Sequence, residues 1–87
     1  QFVVSPQLAS KSFRISFSMP EHTSATLKIL SVSGELVWSC DIQATGGVQT
    51  IEWDGHSRDN APVPDGIYFC QLTAGRYSAT KKMVLIR

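Results

Sequence analysis

Short segments in which apolar and polar residues alternate, separated by turn-forming residues, dominate this sequence. The clearest example is the segment Phe13–Phe17, in which every second side chain is aromatic or aliphatic. A period of two residues is typical of a β-strand with one face buried. No segment shows the 3.6-residue period of an amphipathic helix. The pattern therefore predicts an all-β protein.

Turn residues divide the chain into about seven such strands, spaced by roughly 8–12 residues. The predicted strands cover Phe2–Val4, Phe13–Met19, Leu27–Val32, Glu35–Cys40, Val48–Trp53, Ile67–Ala74 and Tyr77–Ile86. This spacing is typical of an antiparallel immunoglobulin-like β-sandwich. The 87 residues suffice for one such domain, which we assign to residues 1–87. Because the chain starts at Gln1 instead of an initiator Met, we expect it to be part of a longer precursor.

The charge balance argues against two classes of partner. Eight Lys and Arg residues face seven Asp and Glu residues, which gives a formal net charge of +1. A domain that binds nucleic acid through its phosphates carries a basic stripe and a pI above about 9. No apolar run approaches the roughly 20 residues that a membrane-spanning helix needs. We therefore expect no nucleic-acid partner and no transmembrane segment.

The residues that catalysis or metal binding requires do not occur in a recognisable arrangement. His56 has Ser57 and Asp59 nearby, but neighbours in a polar loop do not form a catalytic triad. The cysteines and histidines lack the spacing of a zinc site, and no glycine-rich phosphate loop is present. Aspartates of the loop 54–66 have the oxygen ligands that calcium prefers, but their Asp-Gly pairs favour turns. We predict no enzyme activity, no cofactor and no metal.

Two cysteines, Cys40 and Cys70, fall on predicted strands. An even number of cysteines in a secreted protein suggests a disulfide. A free buried cysteine, however, packs as a small hydrophobic side chain. The sequence leaves both alternatives open, with Cys40–Cys70 as the candidate disulfide.

Two aromatic residues, Trp38 and Phe69, alternate out of phase with the core residues around them. An outward aromatic side chain can stack on a sugar ring or fill a pocket in a protein partner. We therefore expect Trp38 and Phe69 to be candidate contacts for a glycan or a protein. The alternative for Trp38 is packing at the edge of a sheet.

Five segments occur in an order that resembles a known family. They are ISFSMPE (15–21), ATLKILSVSGELV (25–37), IEWDG (51–55), PVPDGIYFCQL (62–72) and SATKKMVLIR (78–87). The chain, from about Pro6 to its end, resembles the FlgD-like immunoglobulin-type domain and the similar C-terminal sorting domain of type IX secretion cargo.

The resemblance implies a non-catalytic C-terminal module of a secreted or surface-attached bacterial protein that travels through the periplasm. It implies that the module is an export or attachment signal, recognised by the secretion machinery through its last strand. The implied recognition residues are Lys82, Met83, Val84, Leu85, Ile86 and Arg87. We expect this strand to form a free sheet edge to which a receptor adds a strand.

Other functions remain open at this stage. The module can be an accessory carbohydrate- or protein-binding domain, or a structural spacer, appended to an extracellular enzyme. In that case its partner is an upstream catalytic domain of the same chain, with a glycan as a further candidate ligand.

Overall fold

The computed structural model describes all 87 residues, and its regular structure consists of eight β-strands without a helix. None of its elements is a helix long and apolar enough to cross a membrane. The strands are β1 (Phe2–Ser5), β2 (Leu8–Ala9), β3 (Phe13–Ser18), β4 (Ser24–Ser31), β5 (Leu36–Gln43), β6 (Val48–Trp53), β7 (Gly66–Ala74) and β8 (Tyr77–Leu85).

The strands form two sheets that pack face to face. One sheet has the order β1-β3-β6 and the other the order β2-β8-β7-β4-β5. All neighbouring strands are antiparallel except β2 and β8, which are parallel. The predicted all-β, immunoglobulin-like sandwich is thus confirmed, and β2 is the one strand that the sequence did not predict.

The core lies between the sheets and consists of the inward side chains of the alternating segments. Phe13, Ile15 and Phe17 of β3 are at most 1% exposed, as their two-residue period predicts. Trp53, at the end of β6, stacks on Phe13 with ring centroids 5.9 Å apart. Aromatic pairs at this distance stabilise a core beyond the area that they bury.

Tyr68 fixes the point where the long loop returns to the sheet. Its hydroxyl donates a hydrogen bond to the carbonyl oxygen of Pro64 at 2.5 Å, and its ring meets Trp53 edge-on. A tyrosine bonded to the backbone a few residues upstream is the tyrosine corner of immunoglobulin-like sandwiches. The bend at Pro64-Asp65-Gly66 thereby brings Tyr68 into the core.

The first and last residues lie at opposite ends of the sandwich. Gln1 lies near Ser18 and Tyr77, whereas Arg87 lies near Gly55 and Val63. The molecule measures 36 × 22 × 20 Å. Its longest dimension matches the roughly 30 Å of a nine-residue strand, so the strands run along the long axis.

Candidate functional site

The implied recognition residues, 82–87, occupy the end of β8 and alternate between core and surface. Met83 and Leu85 are fully buried and belong to the core. They therefore complete the sandwich, and a partner can reach only the other side chains of this segment. Those that are at least partly exposed are Lys82, Val84, Ile86 and Arg87.

The expectation of a free sheet edge at the end of β8 is wrong. The short strand β2 lies beside this segment. The N–H of Val84 donates to the carbonyl oxygen of Gln7 at 2.8 Å, and the N–H of Ile86 donates to that of Ala9 at 3.0 Å. Because these donors are already bound, no further strand can pair here while β2 is in place. A strand of two residues is too short to show an alternating pattern.

Arg87 joins the end of the chain to the long loop. Its guanidinium donates hydrogen bonds to the carbonyl oxygens of Val63 at 2.5 Å and Gly55 at 2.7 Å. Its backbone N–H donates to the carboxylate of Asp65 at 3.2 Å. Hydrogen bonds from a charged donor are about twice as strong as neutral ones. Arg87 therefore has a structural role as well as the recognition role that the resemblance implies.

Gly55 leaves the space that the guanidinium of Arg87 occupies. Its φ is +78°, and a Cβ at this position would lie 2.5 Å from Nη2 of Arg87. A side chain at Gly55 would thus be strained by the backbone and would displace the guanidinium. The sequence indicates a turn glycine here, but not this contact, which joins residues 32 apart.

Two aspartates of the long loop, Asp54 and Asp65, bind groups of the loop and of the chain end. Asp54 accepts a hydrogen bond from the N–H of His56 at 3.2 Å, and its carboxylate lies 3.2 Å from the ring Nδ1 of that histidine. Asp65 binds Arg87, as described above. No three acidic, His or Cys side chains of the chain lie close enough together to hold a metal ion. Asp54 and Asp65 therefore hold the loop and the chain end in place.

Cys40 and Cys70 are free thiols. They lie on β5 and β7, and β4 separates these two strands in the sheet. Residues that face each other on strands two apart are separated by two inter-strand spacings, or about 9–10 Å. A disulfide requires Cα atoms within about 7 Å. The candidate disulfide Cys40–Cys70 is therefore not formed.

Both thiols are held in their protonated form. Burial, with a smaller effect from Cys40, raises the pKa of the Cys70 thiol to about 12. Burial, followed by the nearby carboxylate of Asp41, also raises the pKa of Cys40. The thiolate is the nucleophilic form of cysteine. Near neutral pH, the two side chains therefore act as small apolar groups.

The two candidate aromatic contacts lie on opposite faces of the five-stranded sheet. Trp38 pairs with the buried Ile29 and packs against the core. Because paired residues share a face, Trp38 lies on the core side of the sheet. It therefore packs at the sheet edge instead of pointing outward to a partner. Phe69 pairs with Leu30 and Lys82 and is half-buried on the outer face. Of the two aromatic residues that were expected to point outward, Trp38 and Phe69, only Phe69 does so.

Comparison with protein families gives one match. Residues 4–79 match the family of the FlgD Ig-like domain. The matched range includes β1 to β7 in nearly their full extent and ends before Lys82. No curated protein sequence matches the chain.

Similar folds occur as parts of two much larger solved structures. The chain is 20% identical to dimeric latent PorU from Porphyromonas gingivalis, with a TM-score of 0.79 over 98% of this chain and 9% of PorU. It is 16% identical to PorZ, an essential bacterial surface component of the type-IX secretion system of P. gingivalis, with a TM-score of 0.70 over 99% of this chain and 11% of PorZ. The chain thus spans about a tenth of either protein. At these identities the similarity is one of fold.

Proposed function

Because the chain belongs to the FlgD Ig-like domain family, we propose that it is a non-catalytic module of a secreted or surface-attached bacterial protein, where it acts as an export or attachment signal. The observation that carries this proposal is the similarity of almost the whole chain to a part of PorZ, a surface component of a type-IX secretion system. In this proposal, residues 1–87 form one domain, and the activity of the whole protein resides in other parts of it.

The chemistry of the module supports a role without catalysis. His56 and Asp54 bind each other within the loop, and Arg87 binds loop carbonyl groups. The thiols of Cys40 and Cys70 stay protonated because burial raises their pKa values. His56, Asp54 and Arg87 therefore hold the loop and the chain end together, and the two thiols are not in the nucleophilic form.

The recognition element in this proposal is the outward side of the end of β8. Its accessible side chains are Lys82, Val84 and Ile86, with Arg87 at the tip. Met83 and Leu85 contribute indirectly, since their burial holds the strand in the sandwich. The secretion machinery, or an attachment factor at the surface, would contact a cation next to two aliphatic side chains.

The experiment is to attach residues 1–87 to the C-terminus of a periplasm-directed fluorescent reporter in a bacterium with type IX secretion. We expect the reporter to reach the cell surface or the medium. Retention of a folded reporter in the periplasm would contradict the proposal and favour the accessory or spacer role.

Surface substitutions test the recognition element more sharply than a deletion does. The double variant Lys82→Glu/Ile86→Ser changes two exposed side chains and leaves the core intact, so we expect loss of export from a folded fusion. The matched control is Lys28→Glu/Val48→Ser, which makes similar changes at exposed positions away from this element. Export of both variants would exclude the end of β8 as the recognition element.

A binding role for an upstream domain or a glycan remains a second candidate, and Phe69 is the side chain that favours it. Phe69 lies on the outer face beside Lys82, where an aromatic ring can stack on a sugar. Titration with soluble and insoluble glycans tests this role. We expect that Phe69→Ala abolishes retention if the role is real, and no retention of the unaltered module would exclude it.

A further inference from the structure

An unpaired strand edge lies upstream of the recognition residues on β8. Backbone groups of residues two apart in a strand point to the same side. The N–H groups of Val84 and Ile86 point to β2. The backbone groups of Ser78, Thr80 and Lys82 therefore point to this side too, where β2 does not reach and no other strand pairs.

A second unpaired edge, from the other sheet, lies on the same side of the sandwich. The N–H of Ser18 donates to the carbonyl oxygen of Gln1 at 3.0 Å, and the amino group of Gln1 donates back at 3.4 Å. By the same alternation, Phe2 and Val4 direct their backbone groups away from β3. β1 has no other neighbour in its sheet, so these groups lie on an open edge.

A groove, which we call the edge groove, lies where the two edges approach each other: Phe2 and Val4 of β1 line it, and of the three open residues of β8 Lys82 does. It has a volume of about 560 Å³, and its lining comes from β1, β2 and β8 and the residue before β2. Leu8 is 59% exposed at its rim. The lining of the edge groove includes Phe2, Val4, Leu8, Lys81, Lys82 and Val84.

The charge of the edge groove selects against a second copy of the chain. Lys81 and Lys82 both line it, and no acidic residue does. Pairing two such edges would bring the lysines of the two copies close together, and like charges on paired strands are destabilising. Lysine on an edge strand is a common protection against this association. An incoming strand with acidic side chains is instead attracted by Lys81 and Lys82.

We propose that the edge groove binds an extended segment of another protein, in which acidic and apolar side chains alternate, as an added strand beside Ser78–Lys82 of β8. The unpaired backbone groups supply the hydrogen bonds, as in other cases of strand addition. Apolar side chains on the inner side of the segment would contact Phe2 and Val4. Acidic side chains on its outer side would lie next to Lys82.

The proposed binding does not depend on the export role. The proposed export element is the outward side of residues 82–87, whereas the added strand would pair with the backbone of Ser78–Lys82; the two share the side chains of Lys82 and Val84. A module that binds the segment but is not exported would therefore contradict only the proposed function. A module that is exported but does not bind the segment would contradict only the present inference.

Hydrogen exchange of individual amides tests the inference directly. The probe is the peptide acetyl-(Val-Glu)₃-amide, and the comparison peptide is acetyl-(Val-Lys)₃-amide. At a concentration ten times the Kd, we expect the glutamate peptide to slow exchange at Thr80 and Lys82 about tenfold. The lysine peptide should leave these rates unchanged. No slowing with the glutamate peptide, or equal slowing with both peptides, would overturn the inference.

Two variants separate the backbone contribution from the charge contribution. Thr80→Pro removes an N–H that points to the open edge, a position where strands tolerate proline, so we expect a folded module that no longer binds. Lys81→Glu/Lys82→Glu should reverse the preference between the two peptides. The matched control is Lys28→Glu, outside the groove, which should bind as the unaltered module does. Binding that persists in Thr80→Pro would also overturn the inference.

Discussion

The contact between Arg87 and the long loop is the residue-scale feature with the clearest energetic consequence. We expect Arg87→Ala to lower the free energy of unfolding by about 1–2 kcal/mol, because two carbonyl groups lose a charged donor. Urea unfolding measures this change. Arg76→Ala, in the exposed turn between β7 and β8, is the control and should change stability by less than about 0.5 kcal/mol. Equal effects of the two substitutions would mean that the contact contributes nothing.

Gly55 provides the other half of that contact. We expect Gly55→Ala to be more destabilising than Gly34→Ala, although both glycines have positive φ, because only at Gly55 does the added Cβ meet a neighbour. Gly34→Ala carries the backbone cost alone, about 1–2 kcal/mol. In the double variant Gly55→Ala/Arg87→Ala the two effects should be less than additive, since each removes the same contact. Strict additivity in urea unfolding would contradict this coupling.

Cys70 should make the stability depend on pH in the alkaline range. Its pKa is about 12 in the folded state and near 9.0 when unfolded, so only the unfolded chain loses this proton as the pH rises past 9. The contribution of Cys70 is therefore fully present below pH 9 and is lost progressively between pH 9 and 12. Urea unfolding under reducing conditions at pH 7, 9 and 10.5 should show a steeper decline for the unaltered chain than for Cys70→Ala. Parallel declines would mean that the burial of this thiol is not coupled to folding.

The direction of individual side chains could be predicted where a strand is buried on one face and polar on the other. In β3 the alternation placed Phe13, Ile15 and Phe17 in the core. In β5, at a sheet edge, the consecutive apolar residues Leu36, Val37 and Trp38 interrupt the alternation at the start of the strand, so the pattern did not reveal which way Trp38 points. A shift of register in β4 next to Ile29 adds to the ambiguity. Such shifts arise from strand pairing, which a single strand's sequence does not encode.

At the scale of elements, β8 has two different edges along its length. In the free protein, we expect slow hydrogen exchange at Val84 and Ile86, which donate to β2, and fast exchange at Thr80 and Lys82, which point to the open edge. Exchange measured by NMR for each amide tests this alternation. Slow exchange at all four amides would mean that another part of the chain covers the edge.

The strands of this protein could largely be predicted from the sequence. Which segments lie beside each strand could be predicted only in part. Turn residues delimited seven of the eight strands to within a few residues. The last strand was expected at an open edge, because nothing in the sequence shows that residues 8–9 return to cover its end. The contact of Arg87 with Gly55 was also missed, because it depends on how a loop folds over the chain end.

At the scale of the whole molecule, removal of residues 82–87 should abolish folding. Met83 and Leu85 are completely buried, and loss of a buried side chain of this size costs about 2–5 kcal/mol. A domain of this kind has a total stability of about 5–15 kcal/mol. Circular dichroism and urea unfolding should show an unfolded chain. A cooperative transition in the truncated chain would contradict this expectation and would make the deletion usable as a test of export.

The placement of the first and last residues at opposite ends of the sandwich has a mechanical consequence. A force that pulls Gln1 and Arg87 apart acts along the strands, in opposite directions on β1 and β8. The hydrogen bonds that hold β1 to β3 and β8 to β7 run perpendicular to that force. They are consequently loaded in shear, all at once, instead of opening one after another like a zipper. A module tethered by its two ends would resist extension until a whole row of bonds ruptures together.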